Sequence, residues 1–381
     1  MKLLYVGRLD REKIETLIQC IELFIVPHQK EINISIDFFG KGEFSDHIDK
    51  LAQTYPHIVR YHGWIHKQQL LQQRSGYDFF VMPSNFLETF LTACESWVMG
   101  VPVIGNKKLE MMIPDDLNIQ QYGGNNDAER LANCLRSQKN KKKSDYNNWR
   151  DNIKTTYTTQ HRINAIQLSD KSYTKILMVS DFINYDAGVE THINDACKLL
   201  QKNGSLCTIF GHTTPKGERS IMIKTLLTCA SCCNMRDSRI LLSKIQKESI
   251  LIRRHGVSRV IGRLPLYAIR IRSRIAKKDL HQYITHHELG LFHPFPSKVQ
   301  AIDDLPQAWD IRSFLQASET NNILIQGAVL IKYLLVRLIH KQLQYSNITH
   351  IVPSQRMVPL VQQWHPNAKV QTITHFVDMK N

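Results

Sequence analysis

Five short apolar runs in the first third of the chain, at residues 3–6, 34–39, 58–61, 79–82 and 101–104, are separated by stretches of helical periodicity. In the first stretch Ile14, Leu17, Ile18, Ile21, Phe24 and Ile25 recur at the spacing of one helix face. Strand and helix in alternation admit few folds. Strands joined by helical crossovers lie parallel, and a parallel sheet is covered by helices on both faces. Such sheets bind ligands at the carboxyl ends of their strands. Arg8, Gly40, Gly63 and Ser84 each follow a strand and fall at that edge.

The alternation pauses and resumes. Residues 136–173, with the run KNKKKSDYNN, are polar and read as a terminal helix plus a linker. A second β-α-β start begins with KILMVSDF at 175–182 and turns through DAGVETH. A helix over 189–202 follows, Gly204 ends it, and the strand LCTIFG comes next. Later strands are predicted at 282–288, 350–354 and 370–376, and a long helix at 328–344. The expected fold class is α/β, with two Rossmann-like domains at 1–165 and 166–381. The length of 381 residues, with 43% hydrophobic and 22% charged, suits two domains. No apolar run approaches the roughly 18 residues of a membrane span. The chain opens directly on a strand, so no secretory leader is expected and a cytoplasmic location is.

The net charge of +15 calls for an acidic partner. Nucleotide phosphates, an anionic bilayer and nucleic acid all meet that need. Nine Lys or Arg residues lie between Arg253 and Lys278 with no acid among them, interleaved with Ile261, Leu264, Leu266, Tyr267, Ile269 and Ile271. That pattern fits either a cationic amphipathic face for a membrane or a solvated charged helix. No aromatic-rich recognition motif accompanies the charge, so nucleic acid is not expected. Eight cysteines do not make a disulfide scaffold at this length. Cys229, Cys232 and Cys233 lack a second pair at ligand spacing, so no metal is expected.

The segment YVGRLDREK (5–13) places Arg8 at a strand end and Lys13 on the first turn of the next helix. Two cations there can stabilise the charge that develops on a departing diphosphate. Taken alone, they could equally be solvated surface cations. GKGE at 40–43 supplies a turn where a ligand can approach the backbone of Gly40 closely, although glycine after a strand often only turns the chain. Glu88 and Glu95 lie in PSNFLETFLTACESWVMGVPVIG. Each carboxylate can accept two hydroxyl hydrogen bonds, or each can simply suit a helix N-terminus. Gly188 precedes a predicted helix and can expose N–H groups to an anion, or only open the helix. THHEL places His286 and His287 at a strand end, with Glu288 beside them.

These two blocks resemble the halves of a family-4 (group 1) glycosyltransferase of the GT-B fold. The resemblance implies transfer of a sugar from a nucleotide-diphosphate donor to a glycan or lipid-linked acceptor, with retention of configuration and no metal or other cofactor. It assigns Arg8 and Lys13 to the donor diphosphate with Gly188 assisting. It assigns Glu88 to the sugar, Glu95 to the ribose, and His287 to the reaction centre, with His286 as its rival. A peripheral place at the inner face of the membrane is the expectation that the basic segment between Arg253 and Lys278 adds. The order departs from the family, since the donor-type half comes first, as a permutation or a fusion would give. The family's glutamates are separated by seven residues, and here by six, which turns a helical side chain by roughly 100°. Lys13 runs into Ile14, Phe90 into Leu91 and Lys108 into Leu109, where the family commonly has glycine or another small residue. The chain's 17 glycines fall below the usual share of about 7%. The competing expectation is a non-catalytic remnant that binds an anionic membrane or glycan through its basic second domain.

Overall fold

The computed structural model describes residues 1–30, 33–66, 69–70, 76–84, 91–98, 100–106, 120–122, 126–139, 141, 175–183, 188–202, 204–213, 251–255, 282–286, 292, 305, 310–317, 322–323, 326–327, 329–331, 333–334, 337, 340 and 348–373. Two compact units divide the chain: Met1–Arg162 with His375–Asn381, and Ile163–Thr374.

The first unit is built on a parallel sheet of six strands. They are β1 (Lys2–Val6), β2 (Ser35–Phe39), β3 (Val59–Tyr61), β4 (Phe79–Met82), β5 (Val103–Asn106) and β6 (Gln120–Tyr122). Their order is β3-β2-β1-β4-β5-β6, so the winding reverses between β1 and β4. Helices α1 (Arg11–Cys20), α2 (Ser45–Thr54), α3 (Leu91–Val98) and α4 (Asp127–Ser137) accompany it. Alternation along the strands sorts the two faces. Leu3 and Tyr5, Ile36 and Phe38, and Phe79 and Val81 join Ile14, Leu17 and Ile18 of α1 and Leu131 and Leu135 of α4 in one buried cluster. Leu4 and Asp37 alternate to the opposite face.

The predicted helix over 14–26 is α1 followed by a π-helical turn, Ile21–Ile25, and a 3-10 turn, Val26–His28. Pro27 has no N–H with which to continue an α-helix. Helix α4 starts at Asp127, ahead of the stretch from residue 136 read as a terminal helix plus a linker. Asn126 caps α4 from a left-handed conformation (φ 71°) and exchanges side-chain bonds with Glu129. The stretch read as a linker, from residue 142 onward, lies outside the described residues.

The second unit carries its own parallel sheet, ordered β12-β11-β10-β9-β7-β8. Its strands are β7 (Lys175–Ile183), β8 (Leu206–Thr213), β9 (Leu251–His255), β10 (Gln282–Thr285), β11 (Ile348–Val352) and β12 (Lys369–Thr372). The described helices are α5 (Gly188–Lys202), α6 (Ile311–Gln316) and α7 (Val358–Trp364). The described residues between Ile323 and His340 are also helical. The basic segment departs from expectation at its start. Arg253 and Arg254, expected on a basic amphipathic face, lie instead on β9, an interior strand paired with both β7 and β10. Charge counting hid the strand, because Leu251 and Ile252 offer only a short apolar lead-in. Residues 256–281, the rest of that segment, lie outside the described residues.

Candidate donor site at the edge of the leading sheet

The reversal between β1 and β4 leaves a crevice at the carboxyl ends of the strands, where doubly wound sheets bind ligands. The loops after β1, β2 and β3 are fastened to one another there by backbone hydrogen bonds. Gly7 N–H donates to Phe39 O (3.1 Å), Leu9 N–H to Lys41 O (3.1 Å) and Phe44 N–H to Leu9 O (2.9 Å). Gly40 N–H reaches Gly63 O at 2.8 Å. The Tyr5 hydroxyl donates to Arg8 O (2.8 Å) and the Tyr61 hydroxyl to Gly40 O (3.0 Å). Gly40 has φ +144°, and a Cβ on it would overlap the Gly7 carbonyl oxygen. A Cβ on Gly42 would lie 2.5 Å from the Leu9 carbonyl carbon. The chain itself therefore uses the bareness of both glycines: the loops nest backbone against backbone.

Arg8 rides on this locked loop with its side chain 71% exposed, and one guanidinium nitrogen lies 2.9 Å from an Asp10 carboxylate oxygen. Asp10 occupies the N-cap position of α1 in an extended conformation, but its side chain makes no cap bond. The cap comes instead from the next loop, where Glu43 accepts the Arg11 N–H at 2.7 Å. Lys13 stands half-buried on the first turn of α1, its N–H on Asp10 O at 3.0 Å. Across the reversal point, Ser84 follows β4 and is 1% exposed, and Glu95 sits on α3 at 8% exposure. Glu88 lies outside the described residues. Arg8, Lys13 and Gly40 thus share one sheet edge. An exposed pair such as Arg8–Asp10 is worth about 0–1 kcal/mol, so a dianion can displace Asp10 from it.

In the second unit Gly188 is the first residue of α5, where helix N–H groups are unpaired within the helix. His287 lies outside the described residues. His286 follows β10 and is 3% exposed, its N–H donating to Ile351 O at 2.9 Å. Its Nε2 and His350 Nδ1 are 2.9 Å apart, and His340 Nδ1 and His365 Nε2 are 3.1 Å apart. The His350 and His365 rings are 5.0 Å apart, with Phe292 and Trp364 packed against the group. Burial, then the neighbouring imidazoles, hold the His286 pKa well below the ordinary value. The same causes take His365 down to about 3. His286 is thus packed among aromatic and imidazole rings in the core of the second unit.

The sequence reading missed this four-histidine core, because His340, His350 and His365 lie far apart in the chain. It also missed Asp37. That carboxylate, 2% exposed on β2, receives two bonds from Arg60, the longer at 3.1 Å, and lies 2.9 Å from His62 Nε2. Burial alone would raise its pKa, but the hydrogen bonds from Arg60, His62 and Tyr77 outweigh burial and hold it near 2. A lone aspartate inside an apolar strand, SIDFF, was the available signal. Among the described residues no group of three or more His, Cys, Asp or Glu is arranged to hold a metal ion, and no helix is long and apolar enough to cross a membrane.

Residues 1–137 match the family model of group 1 glycosyl transferases. The solved structures similar to this chain include the pneumococcal O-GlcNAc transferase GtfA in complex with UDP and GlcNAc, at 18% identity over 44% of this chain and 35% of that one, with a TM-score of 0.36. The catalytic domain of the cholesterol-α-glucosyltransferase from Helicobacter pylori is 17% identical over 41% of this chain and 96% of that one (TM-score 0.32). The sucrose-phosphate synthase of Thermosynechococcus elongatus is 24% identical over 44% and 43% respectively (TM-score 0.35). The similarity to GtfA spans about a third of that chain's length. Likenesses at these scores decide nothing about chemistry. No curated protein matches the chain.

Proposed function

We propose that this chain, matched over residues 1–137 by the group 1 glycosyl transferases, moves a sugar from a nucleotide-diphosphate donor to a glycan or lipid-linked acceptor in the cytoplasm. The observation that carries the reading is Arg8, an exposed guanidinium on a backbone-locked loop at the reversal point of the leading sheet. In the proposed reaction the bond from the anomeric carbon to the diphosphate oxygen breaks, and its electron pair leaves with the diphosphate. Arg8 and Lys13 stabilise that charge. The acceptor hydroxyl takes the sugar, its proton passes to an oxygen of the departing diphosphate, and the anomeric configuration is retained. Glu88 holds the sugar, Glu95 the ribose, and His287 lines the reaction centre. No metal is required.

Locked loops matter for rate as well as affinity, because donors fixed in advance spend nothing on reorganising as charge develops. Titration of the purified chain with uridine and guanosine diphosphates and their sugars tests the reading. Binding of one of them, lost in Arg8→Ala with unchanged circular dichroism, is the expected result. A folded wild-type chain that binds none of them defeats the proposal and favours a non-catalytic remnant.

A further inference from the structure

Free thiols are described at Cys20 and Cys134 in the first unit and at Cys197 and Cys207 in the second. The second pair is brought together by the pattern of its two elements. On α5 the buried stripe is Ile193, Ala196, Cys197 and Leu200, at the i, i+3, i+4, i+7 spacing of one helix face. Gly204, with φ +85°, then turns the chain. Its N–H donates to Gln201 O at 3.1 Å, and Ser205 N–H donates to Leu200 O at 3.0 Å. Along β8 the side chains alternate, so Leu206 is 64% exposed and Cys207 is turned inward at 3%. The two thiols meet under the helix. The Cys197 thiol donates to Cys207 O at 3.5 Å, and the Cys207 thiol hydrogen-bonds to the Cys197 sulfur. Gln201 Nε2 donates to the same carbonyl at 2.8 Å.

Burial by itself disfavours a thiolate. It pushes Cys20 up to about 12 and Cys134 up to about 11. At Cys197 the hydrogen bond from Cys207 outweighs burial and holds the pKa below its ordinary value. The thiolate is the form that attacks an oxidant. Strand β8 is paired with β7 alone, at the end of the sheet. An outer strand can open locally without the rest of the sheet, which gives a small oxidant its route. We propose that Cys197 and Cys207 are a peroxide-responsive dithiol that closes into a disulfide and staples α5 to β8. The Cys197 thiolate attacks one oxygen of hydrogen peroxide, the O–O bond breaks, and the departing hydroxide takes up a proton to become water. The sulfenic acid left on Cys197 is then attacked by the Cys207 sulfur. The S–O bond breaks, and the hydroxide leaves with the Cys207 proton as a second water. The two thiols together lose two electrons and the peroxide gains them. A thiol reductant reverses the bond by exchange. The inference uses no residue of the donor site and stands apart from the donor reading.

The test treats the full chain with hydrogen peroxide at neutral pH, alkylates the remaining thiols and maps the tryptic peptides. Cleavage at Lys198 and Lys202 separates the two cysteines. The expected product is the peptide ending at Lys198 joined to the one beginning at Asn203, lighter by two hydrogens and parted again by dithiothreitol. It should form before Cys134 is oxidised, although Cys134 is the less buried thiol. Cys207→Ser is expected to leave no linked peptide and a sulfenic acid on Cys197 that dimedone traps. Cys197→Ser is expected to slow the oxidation of Cys207 roughly tenfold or more. Hydrogen exchange along β8 should slow by a similar factor in the linked chain and recover on reduction. Cys197 and Cys207 still reduced when Cys134 has been oxidised overturn the proposal. So does either of them joined to a different cysteine, and so does a linked chain whose β8 exchanges as fast as in the reduced chain.

Discussion

At the scale of single residues, the glycines of the leading unit separate two requirements that a sequence motif merges. Gly40 combines a positive φ with a backbone carbonyl in the place of a side chain, whereas Gly63 has φ +66° and open space where a Cβ would stand. Gly40→Ala is therefore expected to unfold the first unit or cost it more than about 3 kcal/mol, and Gly63→Ala only about 1 kcal/mol. Urea unfolding of the two variants measures the difference. Comparable losses would show that the loops do not nest. Asp37 makes a different demand. Its buried carboxylate is the shared acceptor of Arg60 and His62, so Asp37→Asn leaves Arg60 with a neutral partner in place of a buried anion. The expected cost is about 2–4 kcal/mol, again read from the urea midpoint.

At the scale of elements, much of the architecture was legible. Strands such as FFVM at Phe79–Met82 are buried on both faces and therefore read as unbroken apolar runs. What escaped was decided by partners distant in sequence or by caps. The short strand β9 is held between two neighbours and has little apolar signal of its own. The start of α4 was written locally, in the N-cap Asn126 and in Glu129 on the first turn, as a capping pair. In the candidate site, the position of Arg8 after β1 was legible because the strand pattern fixes it. The role of Glu43 was not, because its partner is the first turn of a helix 32 residues earlier in the chain. Glu43→Ala is expected to cost α1 about 1 kcal/mol through loss of this borrowed cap. Faster hydrogen exchange at the Arg11 amide in the variant is the measurement. An unchanged Arg11 amide would mean that the carboxylate does not cap the helix.

At the scale of the whole molecule, the two units respond to acid in opposite order of need. The second unit buries neutral imidazoles: His365 titrates near 3 in the fold, and His286 is held well below the ordinary value. Unfolded, each would titrate near 6.5. Between these values the unfolded chain binds more protons than the folded one, so stability is intact above about pH 6.5 and falls as pH drops toward 3. Each unit of separation is worth about 1.4 kcal/mol, so the cluster contributes several kcal/mol to this loss. The first unit depends on Asp37, whose folded value is about 2 against an ordinary 3.8. Its contribution is complete above about pH 3.8 and disappears only as pH falls through 2. Acid should therefore release the second unit first. Hydrogen exchange followed by peptide mass spectrometry from pH 7 to pH 3 should show β10, β11 and α7 losing protection while β1 and β2 keep theirs. His365→Gln removes one titrating ring; it should weaken the unit at pH 7 and flatten its pH dependence between 6.5 and 4. Simultaneous loss in both units, or an unaltered pH slope in His365→Gln, would show that the imidazole cluster does not govern acid stability.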